Sequence, residues 1–480
     1  MLTLASVEQQ IIRFKQQFLQ LKQGEIQDLL ETPQLLQALK DAEDAMSCNV
    51  RHRIWTPLTT LLAFIKQTLK GSSCRDTVKA VQAERLDDGQ KPCSSNTSAY
   101  CQARQKLPES LLRHLVRDTG ERLNTVSQRY WSWRGRTVKL ADGSTLTMPD
   151  TPQNQAAYPQ ESNQEQGVGF PIMRLEIVTS LSSGGVLDAQ MAPYSGQGTG
   201  EATLLRSMMN QCFRSGDIAL TDRYYDSFWA LVEFRDVGAD WLCPTRGSRK
   251  IDWLQGTPLK GDYYDRVFEF KKPARPDWMS EKRYEMIPDS ARVRLFRLYG
   301  KSYLTTLMDS RQYRKNALRK LYQRRWQVEV QLKFIKQIMK MEPLRCKTPD
   351  MIRKEIAVFL LAYNLIRLLM LQAGIRYHIM PCYLSFRGAL GSFREFASSL
   401  EKASGVALAN WVEHVLKTIA SDIIGKRRGR VEPRVLKRRH STHFPYLDRP
   451  RSTIKQKIFK EQSGHQAEGF KRLSAMFAPT

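Results

Sequence analysis

Four side chains in the segment LYQRRWQVEVQLKFIK have the types needed to grip a phosphodiester: Tyr322, Arg325, Glu329 and Lys336. On a continuous helix with 3.6 residues per turn they would project within roughly 60° of one another. One narrow face would then carry a hydroxyl, a guanidinium, a carboxylate and an ammonium. Such a face is a poor packing surface and a good one for holding a divalent cation beside a phosphate. Taken alone, Glu329 is best explained as an i,i+4 partner of Lys333; the four-residue pattern is not.

Two aspartates complete a candidate constellation. Asp142 ends the alternating stretch RTVKLAD, which reads as a strand. Gly143-Ser144 then reads as a turn, with 145–148 as a second strand. Asp222 ends the short apolar strand DIALT, before Arg223 and Tyr224. Side chains at the carboxyl ends of neighbouring α/β strands converge on one edge of the sheet. A helix carrying Glu329 beside that edge would bring three carboxylates together, enough hard oxygen ligands for two magnesium ions. A metal pair about 3.5–4 Å apart activates an attacking oxygen and stabilises the leaving one.

The whole chain suits a polyanionic partner. Its 480 residues carry a net charge of +27, too large an excess for an incidental solvated surface. The apolar stretch 356–371 is interrupted by Asn364 and Arg367 and is short for a membrane span, so a buried helix is expected and nucleic acid is favoured over a bilayer. The eight cysteines (Cys48, Cys74, Cys93, Cys101, Cys212, Cys243, Cys346, Cys382) include no CxxC pair. That argues for reduced cytosolic thiols and against a zinc site. The start, MLTLASVEQQIIRF, has no signal-peptide pattern.

These residues must be positioned by a mixed architecture. Residues 1–125 read as a helical N-terminal region, with Thr56-Pro57 starting one helix and Gly71 ending it. This region is either a small DNA-binding bundle or a helical cap on the core. Residues 126–246 alternate strands and helices, with a hairpin at Ser182-Ser183-Gly184-Gly185 and a polar loop at 151–170. Residues 247–303, rich in aromatics, Gly and Pro, read as an inserted β-rich subdomain. Residues 304–375 return to the core with the Tyr322–Lys336 helix. Residues 376–480 form a mainly helical C-terminal region ending in a basic tail (KRRGR, VLKRRH, DRPR, IKQKIFK), for which salt-sensitive DNA binding is expected.

On these residues the sequence resembles the DDE transposases of bacterial insertion sequences, of the IS4 type. Members share a Y-x2-R-x3-E-x6-K signature, matched without a gap by Tyr322, Arg325, Glu329 and Lys336. They place their aspartates in contexts like LADGSTLTMPDT and ALTDRYYD. The resemblance runs from about Ser73 to Arg451. It implies an RNase H-like core carrying a β insertion, with Asp142, Asp222 and Glu329 as the catalytic acids and ligands of two Mg2+ ions, for which Mn2+ can substitute. It implies strand cleavage at the element's end and attack of the freed 3′-hydroxyl on the other strand or on target DNA. Tyr322, Arg325, Lys336, Arg223 and Lys333 would contact DNA phosphates. An aromatic of the insertion would hold a flipped base, with Trp253, Trp278, Tyr299 and Tyr303 all eligible. The partners implied are terminal inverted repeats, target DNA and a second copy of the chain in a synaptic homodimer. The setting implied is the bacterial cytoplasm, at the nucleoid. Two rivals remain: a nuclease that cuts without joining, and a non-catalytic DNA-binding derivative.

Overall fold

A computed structural model describes residues 54–402 and 405–424, with a few positions between 450 and 457. The expectations for residues 1–53 and for nearly all of the basic tail lie outside the described residues.

The N-terminal helices form where the punctuation predicts. Helix α1 (Pro57–Lys70) is capped by the Thr56 hydroxyl, which accepts from the Thr59 N–H, and ends at Gly71 with φ +67°. Helix α2 (Cys74–Asp87) opens with a reciprocal Ser73/Asp76 capping box. Helix α3 (Ser98–Lys106) and the long α4 (Glu109–Trp131) follow. Leu58, Leu61, Phe64, Ile65 and Leu69 of α1 join the main core, while Val78, Val81 and Tyr100 form a small satellite core.

The centre is one nine-stranded mixed sheet in the order β3-β2-β1-β4-β5-β9-β8-β7-β6. Strands β1 (Val138–Thr147), β2 (Ile172–Ser180) and β3 (Val186–Pro193) form an antiparallel meander. Strand β4 (Ile218–Leu220) runs parallel to β1, and β5 (Asp240–Pro244) parallel to β4. Strands β6 (Thr257–Leu259), β7 (Asp262–Lys271), β8 (Ser290–Leu298) and β9 (Lys301–Thr305) continue this same sheet from the edge of β5.

Period-two alternation divides the sheet between two helical layers. Leu140, Leu220 and Leu242 face α4 and the buried helix α11 (Pro349–Arg376). Ala141, Ala219, Trp241 and Cys243 face α6 (Glu201–Cys212) and α7 (Phe228–Asp236). A short α5 (Pro152–Ala157) precedes β2, α8 (Glu281–Glu285) lies between β7 and β8, and α12 (Phe386–Lys402) and α13 (Gly405–Ser421) close the described chain.

The polar interruptions of α11 explain why so apolar a helix belongs inside. Asn364 exchanges bonds with both Val186 N–H and Val186 carbonyl, and donates to Val116 carbonyl and Thr119 on α4. Arg367 donates to the Ser183 carbonyl and fills the space over Gly184, whose φ is +71°. Helix α11 is long and apolar enough to cross a membrane, but that stretch is wholly buried within the protein.

Three sequence expectations are corrected. Gly143-Ser144 is not a turn, because β1 runs through it, with Gly143 paired to Glu176. Residues 151–170 are not all loop, because Thr151 caps α5 by accepting from the Asn154 N–H. The segment 315–338 is not one straight helix. It comprises α9 (Lys315–Gln323), a 3-10 turn (Arg324–Trp326), α10 (Gln327–Lys333) and a π turn (Phe334–Ile338).

Helix α4 approaches β3 closely enough that a Cβ on Gly120 would lie 2.0 Å from the Val186 carbonyl oxygen. Gly120→Ala is therefore expected to cost about 3 kcal/mol, since backbone must move to admit one methyl. Chemical denaturation would register it as a lower midpoint at unchanged slope; an unchanged midpoint would mean the two elements can separate freely.

Candidate active site

The β1–β4 register juxtaposes the two aspartates. Leu140 pairs with Leu220 across the parallel ladder. Two residues further along each chain, on the same face, stand Asp142 and Asp222. Asp222 has left the strand and caps the 3-10 turn Arg223–Tyr225, accepting from the Tyr224 N–H at 2.7 Å. Helix α10 packs on β1 through its buried Val328 and Leu332, which turns Glu329 toward the same edge.

Arg325 links the acids. Its guanidinium lies 3.4 Å from Asp142 and pairs with Glu329 one turn on. Glu329 thus faces back to Arg325 instead of forward to Lys333. Burial pushes the Asp142 carboxyl up to about 6; Arg325 opposes this, and Glu329, Asp222 and Glu201 add to it. Among the described residues, no three Asp, Glu, His or Cys side chains are grouped tightly enough to hold a metal ion. In this side-chain arrangement the cation at the acids is Arg325.

The remaining signature residues divide. Lys336 lies in the π turn and gives its ammonium to Ser144 Oγ (3.1 Å), the Thr145 carbonyl (2.8 Å) and Glu342 (3.0 Å). An ammonium has three N–H donors, and all three are committed to β1 and its neighbourhood. The Tyr322 ring packs edge-on against Tyr303, and burial raises its phenol above the usual range. Arg223 and Lys333 are exposed. Of the insertion's aromatics, Trp253 and Tyr303 are buried in ring clusters. Trp278 stacks under Arg206. Tyr299, at the β8–β9 turn with φ +51°, is 74% exposed beneath Arg319.

Two acids near the site were missed in the sequence. Glu201, at the start of α6, packs where a Cβ on Gly143 would be, 2.5 Å away, and pairs with Arg174. Glu176 on β2 is fully buried; Tyr225 donates to its Oε1 at 2.7 Å, and its Oε2 has no partner. Nothing local marks either one. Only the strand register and the gap left by Gly143 reveal them.

Burial drives the Glu176 carboxyl well above its ordinary 4.5; Tyr225 opposes, while Glu201, Asp142 and Asp222 reinforce. An acid raised in the folded state adds stability that is complete below its unfolded pKa and is lost as pH climbs through the folded one. Glu176→Gln keeps the Tyr225 bond and removes this titration. Its melting temperature should therefore gain on the parent's as pH rises from about 5 to about 9. A gap constant across that range would contradict the burial assigned to Glu176.

The chain is similar to known proteins along much of its length. The family model described as "Transposase DDE domain" matches residues 133–365, the span from just before β1 to the middle of α11. The transposase InsG of insertion sequence element IS4 from Escherichia coli K12 is 26% identical over 353 residues, 71% of this chain and 76% of that protein. A putative transposase, InsZ, from the same organism is 28% identical over 152 residues, 31% of this chain and 49% of that one. Among solved structures, the chain resembles the piggyBac transposase synaptic complex with hairpin DNA at 9% identity and a TM-score of 0.41, over 91% of this chain and 90% of that one. Residues 133–365 thus match the DDE domain of transposases. Over most of its length the chain is similar to a transposase of the IS4 type.

Proposed function

We propose that the chain carries out cut-and-paste transposition from an RNase H-like core, with Asp142, Asp222 and Glu329 as its catalytic acids. The observation that carries the reading is the β1–β4 register, which sets Asp142 beside Asp222 at the edge where Arg325 reaches both Asp142 and Glu329. The strand order β3-β2-β1-β4-β5, antiparallel then parallel, supports the core assignment.

DDE transposases use divalent metal ions, and the donor set here suits them. Three carboxylates offer hard oxygens, and Asp142, raised chiefly by burial, lies within the electrostatic reach of both Glu329 and Asp222. Asp142, Asp222 and Glu329 would hold Mg2+, with Mn2+ as a substitute, once Arg325 turns away. When bound, the ions supply Lewis-acid activation of the attacking oxygen and stabilise the leaving one. Arg325, released from the acids, would turn to the phosphate flanking the cut, where a guanidinium can bind bidentately. Arg223, Lys333 and Tyr322 would line the same DNA path. Lys336 would contribute chiefly by tying the helix to β1. Tyr299, exposed and fixed at a turn tip, is the best placed of the aromatics to stack a displaced base.

We assign residues 54–131 to an N-terminal helical region packed on the catalytic body, 133–246 and 304–375 to that body, and 247–303 to an insertion extending its sheet. DNA, including the element's ends, is the partner. A synaptic dimer and a cytoplasmic location near the nucleoid follow from the family reading.

Incubating the full chain with Mg2+ and DNA bearing the element's ends tests this against its nearest rival. Joined products, either hairpins or insertions, are expected. Breaks with free ends and no joined strands at any protein concentration would establish a nuclease instead.

A further inference from the structure

Away from the acids, two thiols meet between the N-terminal helices. Cys74 is the first residue of α2, and Cys101 lies within α3. Both are partly exposed, and the Cys101 thiol lies within hydrogen-bonding reach of Cys74. Polar groups from α1 and α3 surround the pair. Gln67 donates to Cys74 Sγ at 3.5 Å, Arg104 approaches Cys101 Sγ at 3.9 Å, and Tyr100 and Arg104 both reach Gln67 Oε1.

Of the other described thiols only Cys346 comes near Cys74, and it is engaged elsewhere. Cys93, Cys212 and Cys243 are buried. Cys346, also near Arg104, bonds its thiol to Glu355, and Cys382 lies against Arg324.

We propose that Cys74 and Cys101 are a reversible oxidation site, closed to a disulfide by a peroxide. The Cys74 thiolate attacks one oxygen of hydrogen peroxide, the O–O bond breaks, and hydroxide takes up the proton released by the thiol and leaves as water. The resulting sulfenic acid is attacked by Cys101 sulfur; the S–S bond forms, the S–O bond breaks, and a second water leaves with the Cys101 proton. Two thiols and one peroxide thus give one disulfide and two waters. The Arg104 guanidinium lies against Cys101 Sγ, the sulfur of the second step. Burial and the neighbouring thiol raise the Cys101 thiol, which Arg104 opposes, so Cys101 suits the resolving role better than the attacking one. In reducing compartments such disulfides are transient and redox-sensing. This one would fasten the start of α2 to α3 around Gln67 of α1, stiffening the helices that precede the catalytic body.

The test uses the full chain, reduced, freed of reductant, exposed to hydrogen peroxide and then alkylated with N-ethylmaleimide. The expected result is a loss of two alkylated thiols per chain, non-reducing peptide maps that join Cys74 to Cys101, and full recovery with dithiothreitol. Cys74→Ser and Cys101→Ser should each abolish the bridge, and Cys346→Ser should keep it. A bridge through Cys346, over-oxidation without any bridge, or undiminished alkylation would each overturn the proposal.

Discussion

Asp142→Asn is expected to lower end cleavage at least about 1,000-fold while leaving DNA binding intact and raising the melting temperature. The gain in stability follows from the sign of the Asp142 shift. Its carboxyl titrates near 6 in the folded chain against an ordinary 3.8, chiefly because it is desolvated. Its favourable contribution is complete below the unfolded value and is lost as pH rises through about 6. Above that pH the ionised acid strains the fold, and the amide relieves it by about 1–3 kcal/mol. The substitution should be nearly neutral for stability at about pH 4 and stabilising at about pH 8. Glu329→Gln offers a contrast: that side chain is 42% exposed, so cleavage should fall as far with little change in melting. Calorimetry at the two pH values, beside a cleavage assay, reads both. If Asp142→Asn cut ends at the parental rate, the assignment of this acid would be wrong; if it melted lower at the higher pH, the account of its burial would be wrong.

What the sequence disclosed and what it hid follow from the range of the interactions. Thr56, Gly71, Ser73 and Ser227 announce helix ends because a cap acts on backbone a few residues away. The apolar runs ending at Asp142 and Asp222 announce strands, and alternation predicts which face each acid takes. Gly143 misled because its turn-like appearance had a distant cause. It stays in β1 and lacks a side chain so that Glu201 can pack against the strand. Glu176 was invisible for a similar reason, since its partner Tyr225 comes from the turn that Asp222 caps. The helical wheel drawn through Tyr322, Arg325, Glu329 and Lys336 assumed one continuous α-helix. The 3-10 and π turns alter the pitch on both sides of Glu329, and irregular turns of this kind are frequent at functional sites. Lys336 consequently reaches back to β1, a contact that no local periodicity could predict.

The largest loss of stability is expected from Arg294→Met, in the strands that extend the sheet. Arg294 on β8 is fully buried and forms a two-pronged pair with Asp265 on β7, at 2.7 Å on each side. Its remaining nitrogen donates to the carbonyls of Leu307 and Tyr313, at 3.0 and 2.8 Å. One guanidinium therefore ties the added strands to the segment that leads into α9 and on to Arg325 and Glu329. Methionine fills similar volume but leaves the Asp265 carboxylate unpaired and two carbonyls without a donor. Breaking a buried pair from one side costs about 3–5 kcal/mol, because the surviving charge stays desolvated. Denaturant titration should show that loss, and cleavage should fall at temperatures where the fold persists, because α9 and the residues beyond it are no longer held in register. Removing both charges, as Arg294→Met with Asp265→Leu, should recover most of the stability. The double variant should recover less of the cleavage, since the two carbonyls on the path to α9 still lack their donor. A single variant as stable as the parent would show that the pair is solvated and that the added strands are not anchored through it.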